Sequence, residues 1–170
     1  MIWRQSILIG SLVLIAVIVQ LTLLSRLGLP GATPDLVVVV VVAIAFALGP
    51  AQGAAAGFAA GLLIGVAPPA DSIIGVNAIV YVVIGIVTGF LIDPRDRTVL
   101  VMSGIVGVAA AFAVLGVALL DTILGSNRVI WGQVPLLVLT SALYAVILAP
   151  LVILGVGRLA KAFATEVAPP

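Results

Sequence analysis

Seven Lys or Arg and six Asp or Glu are the whole charged complement of the 170 residues, and the chain has neither His nor Cys. That composition leaves no thiolate nucleophile, no disulfide, few routes to a transition-metal site and no ordinary proton carrier near neutral pH. The carboxylates stand at Asp35, Asp71, Asp93, Asp96, Asp121 and Glu166, and none is placed in the middle of a long apolar run. Proton relays and ion pathways need ionisable groups at membrane depth, so ion-coupled transport is not expected. No Ser adjoins a plausible base, no carboxylate pair has a basis for opposed pKa values, and no phosphate-cradling loop occurs. The reading is therefore of a protein that is not an enzyme, with no catalytic, cofactor-binding or metal-binding residue and no specific small-molecule affinity. A net charge of +1 offers no basic face for a phosphate backbone, which excludes nucleic acid as a main partner.

What remains as signal is steric and polar patterning. Gly53, Gly57, Gly61 and Gly65 recur at every fourth position and share one helix face, smoothed further by Ala56 and Ala60. Gly85 and Gly89, and then Ser103, Gly107 and Ala111, offer similar seams. In lipid such strips serve as internal packing faces or as docking faces for a partner helix, and internal packing is the commoner use. Asp71 or Ser72 is placed to cap a helix that starts near Val76; alternatively, Asp71 and Asn77 present polar groups at the outer face. The mixed-sign turn at Asp93, Arg95, Asp96 and Arg97 reads as a solvated loop with Pro94 as its helix stop. Trp3 and Trp131 fall beside predicted span ends as interfacial anchors. Tyr144, inside the last span, needs a hydrogen-bonding partner on a neighbouring helix.

The elements that carry these residues follow from hydropathy. With 64% of residues hydrophobic and 8% charged, the chain is an integral membrane protein, long enough for five or six spans and nothing else. The apolar runs predict one all-α transmembrane domain over 1–170, with spans at about 7–24, 36–48, 53–67, 76–92, 99–120 and 134–154. The stretch 36–67 is too long for one upright helix and is broken by Gly49 and Pro50, so it reads as a short hairpin of two helices. Its Val/Ile half would suggest a buried strand in water, but an open strand in a bilayer leaves its backbone unpaired. The hairpin either spans a thinned region or re-enters, and a single kinked helix is the other option. Six spans with a cytoplasmic N-terminus divide Lys and Arg five inside to two outside, with both termini cytoplasmic, whereas one kinked helix over 36–67 with an external N-terminus gives the same split and keeps only the C-terminus inside. Arg158, Lys161 and Phe163 follow the last span as a basic, partly apolar tail at the headgroup level.

The order of features is also familiar. Pro34-Asp35 precedes a Val/Ile helix, a Gly-Pro break follows, then Gly53 through Leu62, then Ala67-Pro68-Pro69-Ala70-Asp71 and Gly75 through Tyr81. The chain resembles MreD, the rod shape-determining membrane protein of bacteria, over about 34–89, in a form similar to actinobacterial members. It departs from the family where an acidic residue often follows the Gly-Leu of the third helix, since here the sequence runs Leu63-Ile64-Gly65. The resemblance implies a non-enzymatic scaffold of the cell elongation machinery in the plasma membrane. It implies MreC as partner, with RodA, its transpeptidase partner and MreB nearby, and support of peptidoglycan synthesis as the role. It also implies a compact six-helix bundle similar to the substrate-binding subunits of energy-coupling-factor transporters. A vitamin-binding subunit of that kind is the rival reading, one that should gather polar and aromatic side chains into an outer pocket. Beyond Asp71, Asn77, Asn127, Arg128 and Trp131 the sequence offers few candidates for such a set.

Overall fold

The longest uninterrupted Val/Ile run becomes the centre of the molecule. In the computed structural model, which describes residues 2–26, 28, 31–67, 73–91, 98–126 and 129–165 (side chains from 5 to 162), Leu36–Leu48 forms helix α2. Every residue of α2 from Val37 to Phe46 is buried, as expected of a helix with no polar face. Around it stand α1 (Ile2–Thr22), α3 (Pro50–Val66), α4 (Val76–Leu91), α5 (Val99–Ile123) and α6 (Val134–Thr165). These five form a ring in the order α1, α3, α4, α5, α6, each touching its two neighbours, and α2 touches all five. Among the described residues there is no strand.

Successive helices run in opposite directions. Gln20 near the end of α1 meets the start of α2, Tyr81 near the start of α4 meets Asp35 ahead of α2, and Asp121 at the end of α5 meets Ile73 ahead of α4. The α2–α3 reversal is made by one residue, Gly49, at φ 99° and ψ 176°, a conformation open essentially to glycine alone. Pro50 then opens α3, where its missing N–H costs nothing.

Three helices, α1, α5 and α6, are long and apolar enough to cross a membrane; α2, α3 and α4 are shorter. A short helix is tolerable at the centre, because α2 is walled by protein rather than lipid along its length. The exterior is apolar as a lipid-facing surface should be, with Leu14 and Ile18 on α1, Phe112 on α5 and Leu139, Ile147 and Leu151 on α6 all exposed.

Several boundaries differ from the sequence expectation. Helix α1 begins at Ile2 and α3 at Pro50 rather than at 7 and 53, because neither start needs an apolar residue. Helix α6 does not stop at 154: it continues through Pro150 to Thr165, so Arg158 and Lys161 lie on the same helix and not on a separate tail. Helix α5 runs past 120 and takes in Asp121, which is buried rather than placed between spans.

Candidate functional site

The strip of small residues lies between α3 and α4. A Cβ at Gly57 would stand on the Tyr81 carbonyl, one at Gly61 on the backbone of Ala78, one at Gly85 on the backbone of Gly53, and one at Gly89 on Pro50. Gly53 faces Ala45 of α2 as well as Gly85, while Gly65 makes only ordinary contact with Gly75 and Ile74. Gly53, Gly57, Gly61, Gly85 and Gly89 therefore let two backbones touch, the closest approach helices can make, whereas Gly65 is not needed for it. On α5, Gly107 receives the side chain of Val146 from α6.

At the end of the bundle where α2, α4 and α6 begin and α1, α3 and α5 finish, the helices diverge around a cavity of about 590 Å³. Its wall takes Gln20 from α1, the segment Gly31 to Thr33, Asp35, Asn77 and Tyr81 from α4, Asp121 from α5, and Gln133 and Ser141 from the α6 side, among apolar neighbours. The 31–35 segment is held to α6 by the Ala32 N–H, which donates to Thr140 Oγ1 at 2.9 Å.

Asp35 organises this wall. Its Oδ1 accepts from the Val38 N–H at 3.1 Å and its Oδ2 from the Tyr81 hydroxyl at 3.0 Å. The Gln20 side chain hydrogen-bonds the same carboxylate, and its Oε1 accepts from the Val37 N–H at 2.9 Å. The Leu36 N–H donates to the Pro34 carbonyl, so the first three N–H groups of α2 all have partners before the regular ladder begins with the Val39 N–H on the Asp35 carbonyl. Asp35 is only half-buried because it borders the cavity, yet protein encloses it laterally. Desolvation by burial holds its carboxyl above the ordinary value of 3.8, against the hydrogen bonds from Val38, Tyr81 and Gln20 that pull it down.

Asp121, 4% exposed, accepts from the Ile73 N–H at 3.3 Å and so ties the end of α5 to the approach of α4. Ser141, 1% exposed, lies two turns into α6. No protein hydrogen bond reaches its hydroxyl among the described residues, and the hydroxyl opens on the cavity.

Of the outer polar set expected from sequence, the described members are Asn77 and Trp131, and Asn77 lines the cavity, 7% exposed and on a protein wall rather than at a wet interface. Trp131 is exposed in the turn before α6. Asp71, Ser72, Asn127 and Arg128 lie outside the described residues, as do Asp93, Arg95, Asp96, Arg97, Glu166 and the side chains of Trp3 and Phe163. Gln20, Asp35, Tyr81, Asp121 and Ser141 were missed because their partners are far away in sequence. A polar residue within or at the edge of an apolar helix was the available signal.

No protein-family model, curated protein or solved structure matches the chain. The membrane character is carried by the three long apolar helices and the apolar exterior.

Proposed function

We propose that this protein is a non-enzymatic, multi-pass scaffold of the bacterial plasma membrane that binds MreC and supports rod-shape determination and peptidoglycan synthesis. Six crossings and cytoplasmic termini belong to the same reading, as do RodA, its transpeptidase partner and MreB as neighbours. One observation carries it. The residues through which the chain resembles MreD are those that weld α2, α3 and α4 into one unit: Asp35 ties α2 to α4, Gly49 and Pro50 make the hairpin, and Gly57 and Gly61 sit against Tyr81 and Ala78. The likeness is therefore of one packed module, and it leaves the outward sides of α1, α5 and α6 free for lipid or partner helices.

The test is co-expression of the tagged chain with MreC of the same bacterium and recovery from detergent. MreC should be retained at a fixed ratio, and depletion of the chain should round the cells. Absence of both effects would overturn the proposal.

The cavity of about 590 Å³ favours a second reading, a substrate-binding subunit of an energy-coupling-factor vitamin transporter. Its size falls in the range of small-molecule sites. Recovery of stoichiometric vitamin with the purified protein, together with the transporter's ATPase subunits, would select it over the scaffold.

A further inference from the structure

Two carboxylates, Asp35 and Asp121, border the cavity, and among the described residues no Lys or Arg lines it. The two are not equivalent. Asp35 is occupied by Val38, Tyr81 and Gln20, whereas Asp121 has, among the described residues, a single long hydrogen bond from Ile73. Asp121 is 4% exposed and stands beside an apolar wall of Val117, Ala118 and Val134.

A second observation points the same way. Ser141 is buried and lines the cavity, and among the described residues no protein hydrogen bond reaches its hydroxyl. It stands seven residues beyond Val134, about 10 Å deeper along α6 at helical rise, while Asp121 lies in the last turn of α5. The cavity thus has a carboxylate at the end of α5 and a hydroxyl further along α6, with apolar side chains also lining it.

We infer that this cavity binds a small organic ammonium ion, its positive group on Asp121 and a hydrogen-bonding group at the far end of its short apolar body on Ser141. Binding would give Asp121 a counter-ion and Ser141 a hydrogen-bond partner, and the apolar body would fill the space between. The inference does not rest on MreC binding, and its readout is independent of it.

The test uses the full chain in detergent with three probes of one length: aminohexanol, hexylamine, which lacks the hydroxyl, and hexanediol, which lacks the charge. Thermal stability should rise with aminohexanol concentration as mass action requires. Half-maximal stabilisation should come at a concentration at least about tenfold lower than for hexanediol, the worth of one modest charge pair. Asp121→Asn keeps an acceptor for the Ile73 N–H, so its unliganded stability should hold while the tenfold preference disappears. Ser141→Ala should bring aminohexanol to the level of hexylamine. Equal stabilisation by aminohexanol and hexanediol, survival of the preference in Asp121→Asn, or no stabilisation at all would overturn the assignment. The comparison of probes on the wild-type chain decides the matter even if a variant cannot be recovered. Loss of MreC binding with the probe response intact would instead count against the scaffold alone.

Discussion

The Tyr81 hydroxyl donates to Oδ2 of Asp35 at 3.0 Å, joining residues 46 positions apart, while Oδ1 of the same carboxylate accepts from the Val38 N–H. One side chain therefore caps the central helix and fastens α4 to it. Tyr81→Phe should lower the stability of the detergent-solubilised protein by about 1–2 kcal/mol, the cost of an unmet hydrogen bond to a charged acceptor. Asp35→Ala should cost more, because it also removes a cap worth about 1 kcal/mol. Since both changes break the same contact, the double variant should lose less than the two single losses combined. Strict additivity in equilibrium unfolding would show that the pair is not coupled.

The raised carboxyl of Asp35 gives the sign of a pH effect. A folded-state value above the unfolded one means that the native protein holds the proton more tightly. The contribution is therefore fully present below the ordinary value of 3.8 and is lost as pH rises through the raised one. Asp35→Asn lacks that titration, so the melting temperature of wild type should fall relative to the variant across that window and then run parallel to it. A wild type that gains on the variant with rising pH would mean that the hydrogen bonds outweigh desolvation.

Gly57→Leu and Gly61→Leu force side chains into the backbones of Tyr81 and Ala78, and even Gly57→Ala should cost about 1–3 kcal/mol through overpacking. Gly104→Ala meets open space and Ala55→Leu starts from an exposed position, so both should stay within about 0.5 kcal/mol of wild type. Thermal unfolding in detergent separates the two groups. Variants at Gly57 that keep full stability but lose MreC would identify the strip as a docking face.

Because successive helices alternate in direction, the start of α1 and the end of α6 lie at the end of the bundle away from the cavity. The proposed orientation, with five of the seven Lys and Arg inside, puts that end in the cytoplasm. Alkaline phosphatase fused after Glu166 should be inactive, whereas a fusion in the 126–130 loop should be active. The reverse pattern would invert the protein and with it the side on which the cavity opens.

The sequence by itself determined the class of the protein and most of its elements. A chain this apolar and this poor in charge has one compatible solvent, and in that solvent the backbone must pair within each segment, so helices follow. Gly49 and Pro50 were readable as a break because each restricts the backbone locally, and the four-residue glycine spacing was readable as a close-packing face because helical periodicity is also local. The central position of α2 was implicit in a run with no polar residue. Which polar groups meet was not legible. Gln20, Asp35, Tyr81, Asp121 and Ser141 come from five stretches of chain, and only the arrangement of five helices around a sixth brings them to one wall. Asp121 illustrates the difference: hydropathy treats any carboxylate as the end of a span, yet a carboxylate that receives the Ile73 N–H and borders a cavity is carried inside the helix. Hydropathy measures transfer of one residue at a time, whereas the energy of a buried polar group depends on the partner it finds, and tertiary structure alone supplies that partner.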